Sequence, residues 1–141
     1  MTSQKKIRIM KTICWIGVAA DALWSIALVI PQFYGILTGK PDLQVDLSLR
    51  IALGIAGALM AGWTLLLAWT AKNPVERRMV MALTAIPVVA GLFTVALIGV
   101  INGSTSTTWI LFKCGFLGIA MLWGYHSANS IAKESTYEIN N

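Results

Sequence analysis

Two ionisable residues stand inside otherwise apolar runs of this sequence: Asp21 in WIGVAADALWSIALVIP and Lys113 in WILFKCGFLGIAM. Charges placed so deep among apolar residues pair with each other, line a pathway or hold a ligand, because leaving them unpaired away from water is costly. At 1.5 Å per residue, Lys113 falls about 6 Å from the depth of Asp21, within reach of a lysine stem. Helical spacing places Cys14, Gly17, Trp24, Ser25, Leu28 and Gln32 on one broad face with Asp21. Trp24 and Trp63 fall near the middle of their apolar runs, whereas Trp15, Trp69 and Trp109 fall near run ends, where tryptophan collects at membrane interfaces. A mid-depth indole N–H needs a partner and is drawn to a polar interior. Asp21, Trp24, Trp63 and Lys113 are therefore the candidate ligand-binding residues. The structural alternative is an Asp21–Lys113 ion pair that only sets helix register.

Other chemistries are excluded by what surrounds the remaining reactive side chains. Cys14 and Cys114 are predicted at opposite depths and neither has a neighbouring cysteine, which argues against dithiol redox work. His126 is the single histidine, so bis-histidine haem ligation is out, and no His/Cys/carboxylate group has metal-ligand spacing. Neither a G-x-S-x-G elbow nor a phosphate-binding glycine loop occurs. No catalytic residue, metal or cofactor is assigned, and the sequence leans against an enzyme.

The elements that must position these residues are membrane helices. Of 141 residues, 57% are hydrophobic and 12% charged, about half the charged fraction of a soluble domain. Apolar segments at 13–30, 51–71, 80–101 and 109–125 match the roughly 20 residues that a bilayer core demands of a helix. The expected fold is all-α, an integral membrane protein forming one four-helix antiparallel transmembrane bundle over 1–141. Its helices are predicted at about 12–34, 47–72, 74–101 and 107–129. The first run is too long for a signal h-region and ends in Pro31-Gln32-Phe33-Tyr34, a poor cleavage sequence, so it is predicted to be retained.

Lys5, Lys6, Arg8, Lys11, Lys72, Arg77, Arg78 and Lys133 fall on the two tails and the second connection, against Lys40 and Arg50 on the other two. Positive residues stay on the cytoplasmic side, which predicts a multi-pass protein of the cell membrane with both termini cytoplasmic. The net charge of +5 is thereby a topology signal, and nucleic acid is excluded as a partner. Expected partners are the lipid bilayer and either a second copy or another membrane protein.

Finer signals complete the prediction. Asn73, Pro74 and Glu76 resemble a capping box opening the third helix, Asp46 is a cap for the second, and Ser106 or Thr107 for the fourth. Pro87 interrupts the third helix and frees the carbonyl of Leu83. Gly54, Ala58 and Gly62, with Gly57 and Ala61 beside them, form small-residue stripes predicted to let backbones approach. Ala120, Gly124 and Ala128 repeat the pattern. A lone acidic residue in the first of four short helices resembles the small multidrug transporters, but the likeness is one residue in a longer chain and assigns no family. The first expectation for function is a noncatalytic scaffold or accessory membrane component. The alternative is binding or transport of a small molecule, lipid or ion through a polar pocket around Asp21 and Lys113. A hollow interior favours the second, a dry one the first.

Overall fold

The computed structural model describes residues 2–103 and 105–139, all-helical with no strand among them. Helix α1 spans Ser3–Val29, α2 Pro31–Leu37, α3 Leu47–Lys72 and α4 Arg78–Leu83. A π-helical turn, Thr84–Val89, joins α4 to α5, Ala90–Ile101, and α6 runs Thr105–Ile139. Four stretches are long and apolar enough to cross a membrane: Ser3–Val29, Leu47–Lys72, Arg78–Ile101 and Thr107–Glu134. Large apolar side chains such as Ile16, Ile55, Leu59, Leu65, Ile98 and Phe112 are exposed around the outside, which suits lipid rather than water as the solvent.

The helix ends follow local chemistry. The first helix starts at Ser3, well before the predicted 12, because Gln4, Lys5, Lys6 and Arg8 are good helix formers and Met10 is fully buried in the core. It stops short of 34 because Pro31 forces the preceding Ile30 into extended backbone (φ −110°, ψ 97°), and Pro31 then opens α2 at its first position. Asp46 caps α3 as expected, its Oδ1 accepting from the Leu49 N–H at 2.7 Å.

The capping box at Asn73 does not form. Asn73 ends α3, residues 73–77 make a turn, and Asn73 Nδ2 donates to Glu76 Oε2 at 2.5 Å. The Arg77 guanidinium donates to the Trp69 carbonyl and lies 3.7 Å over the Trp69 ring, closing the end of α3 in place of a box. Because α6 already begins at Thr105, Ser106 and Thr107 lie in its first turn, and the cap position falls outside the described residues.

Packing is uneven along the bundle. One half holds a solid core of Met10, Cys14, Leu67, Ala71, Val80, Met81, Ala85, Met121, Ala128 and Ile131. Gly17 and Gly124 admit its long side chains: a Cβ at Gly17 would lie 3.1 Å from Met121 Cε, and one at Gly124 3.0 Å from Met81 Sδ. In the other half α1 and α3 touch backbone to backbone. A Cβ on Gly57 would lie 3.0 Å from Val29 and 3.3 Å from Leu28, and Ser25 Oγ donates to the Gly57 carbonyl at 3.1 Å.

The small-residue stripes pack differently from the prediction. Gly57 carries the α1–α3 contact, but Gly54 and Gly62 have nothing within 4 Å of a Cβ, and Ala58 and Ala61 are exposed. Leu53 and Leu67 are buried together with Gly57, so the seam is set by two leucines flanking one close approach. The stripe of Gly54, Ala58 and Gly62 is left facing outward.

Candidate functional site

The half that lacks the core is hollow. A cavity of about 290 Å³ is bounded by α1, α2, α3, the π-helical turn, α5 and α6. Its walls are mainly apolar, with Asp21, Trp24, Tyr34, Thr84, Lys113 and Cys114 as the polar or polarisable groups. This composition, a hydrophobic hollow with few convergent polar groups, is that of small-molecule sites.

Three sequence features build it. Asp21 and Trp24 are brought into the wall by their spacing on α1, with Leu28 one turn beyond. The break at Ile30 turns α2 so that the Tyr34 ring meets Trp24 edge-on, centroids 6.5 Å apart at 65°. Tyr34 is held in turn by its own loop: Thr38 Oγ1 donates to the Tyr34 carbonyl at 2.8 Å, and the Lys40 N–H donates to the Gly35 carbonyl at 2.7 Å. Only glycine fits at position 35, since a Cβ there would lie 2.6 Å from the Lys40 carbonyl oxygen. Gly39 completes the loop with φ +73°.

The third feature is Pro87. Lacking an N–H, it cannot continue the helical ladder, and the chain widens into a π turn in which the Ala90 N–H reaches the Ala85 carbonyl. Thr84, Val88 and Val89 of this turn line the cavity. Buried Thr84 donates to the Val80 carbonyl at 2.7 Å and accepts from Trp63 Nε1 at 3.2 Å. The mid-depth Trp63 thus finds its partner in a hydroxyl, and its ring packs beside the core.

Of the four candidates, Asp21, Trp24 and Lys113 share the cavity wall, and Trp63 stands behind Thr84. Neither Asp21 nor the Trp24 indole N–H makes a hydrogen bond to another described residue. The direct Asp21–Lys113 ion pair is not formed. Lys113 is exposed at the rim, and its ammonium lies 5.0 Å from the Trp109 ring centroid, one helical turn away on α6. The lysine has a partner of its own within its helix, which is the physical reason that it does not cross to α1. Asp21 shares the cavity wall with Cys114 of α6.

Sequence reasoning missed Tyr34, Met60 and Cys114. Pro31 was the available signal for Tyr34, because a break there folds the following turn back toward α1. Met60 and Cys114 carry no signal beyond helical periodicity. The described residues contain no group of three His, Cys, Asp or Glu side chains that could hold a metal ion. Compared with known proteins, the chain matches no family model, no curated protein and no solved structure.

Proposed function

We propose that this chain is a multi-pass membrane protein that binds a small amphipathic molecule in the cavity beside Asp21. The cavity itself carries the proposal, since it joins three of the four candidate residues in one hollow of about 290 Å³. Asp21 and Trp24 line it, neither the carboxylate nor the indole N–H has a hydrogen-bond partner among the described residues, and Tyr34 and Met60 add apolar surface to the wall. The bundle is antiparallel with both termini cytoplasmic. Contacts of Gly57 with Ser25 and Leu28, and of Gly17 with Leu67, favour opposed directions for α1 and α3, and the charge distribution favours cytoplasmic termini.

Thermal unfolding of the purified chain against a panel of lipophilic compounds, wild type beside Ala56→Trp, tests the proposal. Ala56 lines the cavity, so tryptophan there fills it. A ligand at 100 times its Kd stabilises by about 2.7 kcal/mol, a readily measured shift. Stabilisation of wild type that Ala56→Trp abolishes is expected. Stabilisation retained by the filled variant, or a variant more stable than wild type with no compound acting on either, overturns it. A second reading, an accessory component docked on a partner helix, rests on the outward face of Gly54, Ala58 and Gly62.

A further inference from the structure

A second hollow lies on the outside of the bundle, in a different place from the Asp21 cavity. Between α1 and α6 runs a groove of about 350 Å³ walled by Ile9, Ile13, Phe116, Ile119, Ala120 and Trp123, all apolar. Phe116 to Trp123 covers about 10 Å of helix, the length of several methylene groups. Ile9 and Trp123 stand level, because a Cβ on neighbouring Gly124 would lie 3.8 Å from Met10 Cγ.

One turn beyond Ile9 the chemistry changes. Lys5 and Lys6, four and three residues before Ile9, share its face of α1. Ser127, four residues after Trp123, does the same on α6. Neither lysine makes an ion pair with a described residue, and the first turn of α1 holds no acidic residue. The next acid along α6 is Glu134, about 16 Å past Trp123 by helical rise. Arg8 and Lys11, exposed on the other faces of α1, add to the positive potential.

We propose that this groove is a binding site for an acidic phospholipid, with an acyl chain along Ile13 and Phe116 and the phosphate at Lys5, Lys6 and Ser127. Charge complementarity selects this occupant over a second copy of the chain, whose own lysines would meet like charges in a symmetric pair. Basic residues beside a spanning helix favour anionic headgroups in the same way.

Trp123 reports on the site. The full chain is reconstituted in phosphatidylcholine vesicles containing brominated phosphatidylglycerol or brominated phosphatidylcholine at equal mole fraction. The emission lost in Trp123→Phe isolates the signal of this residue. Preferential quenching by brominated phosphatidylglycerol, about three- to tenfold in relative binding constant, is expected. It falls to near one in the Lys5→Gln/Lys6→Gln variant and survives Lys72→Gln, a change at the same end on α3. Equal quenching by both lipids overturns the proposal, as does an equal loss in Lys72→Gln, which would mark a diffuse surface potential. A preference unaffected by Ala120→Trp, which fills the groove, also overturns it. Protection of Trp123 from both lipids in a cross-linkable dimer would assign the groove to a second copy instead.

Discussion

Replacing Gly57 with leucine tests the α1–α3 seam most directly. A Cβ alone would sit 3.0 Å from Val29 Cγ2, 3.3 Å from Leu28 Cβ and 3.5 Å from the Ser25 carbonyl oxygen. Leucine drives three further carbons into the same space, so the helices must separate. Overpacking of this kind costs about 1–3 kcal/mol. Separation also breaks the Ser25–Gly57 hydrogen bond, an interaction that averages about 0.6 kcal/mol between membrane helices. A total loss of about 2–4 kcal/mol follows. Gly62→Leu is the control, since nothing lies within 4 Å of its Cβ and the expected change is within about 0.5 kcal/mol. Equilibrium unfolding by dodecyl sulfate in mixed micelles, followed by helical circular dichroism, gives both values. A Gly62→Leu loss equal to or larger than that of Gly57→Leu would refute the reasoning and show that the outward stripe is the covered face.

Thr84→Val removes the partner of the Trp63 indole N–H, and a double-mutant cycle with Trp63→Phe should return a coupling of about 0.5–1.5 kcal/mol; additive losses would mean that the bond contributes nothing. Asp21→Asn and Lys113→Met, by contrast, should show coupling below about 0.5 kcal/mol because Lys113 is engaged by Trp109, and Lys113→Met alone should lose about 0.5–1 kcal/mol of cation–π contact. A coupling of several kcal/mol would instead reveal a pair formed in the membrane. Cysteines placed at Ser3 and Lys133 should be labelled from the cytoplasmic face and one at Asn102 from the opposite face; labelling of Asn102 from the cytoplasm would reverse the topology.

Sequence patterning reveals the number of long apolar helices, because each is apolar all round, a signal that survives any tertiary arrangement. Their ends, such as the start of α1 at Ser3, depend on local chemistry and packing. Asp46 was legible as a cap because capping is a local interaction. Which small residues meet a neighbour was not legible. Gly57 and Gly62 look alike in sequence, and their difference comes from where Leu53, Leu67 and Val29 bring the helices together. Three residues of the cavity wall, Asp21, Trp24 and Lys113, stood out by residue type, since polar groups in apolar runs mark themselves. Whether Asp21 and Lys113 form a direct pair was not legible, because depth alone does not register that Trp109 stands one turn from the lysine. Tyr34 entered the wall through a backbone break, a consequence of Pro31 that side-chain patterning does not encode.

The division of the bundle into a hollow half and a filled half bears on whether anything can pass through it. Met10, Met81 and Met121 are each fully buried and, with Leu67, are the largest such side chains in the core that fills the other half. Were the cavity to hold the proposed ligand, this core would lie between it and the other end of the bundle. Passage beyond it would require core side chains, these thioethers among them, to move apart. Methionine is the apolar side chain best suited to that, being unbranched and rotatable about three bonds. The filled half therefore owes its bulk to the most pliable apolar side chains that a protein core offers.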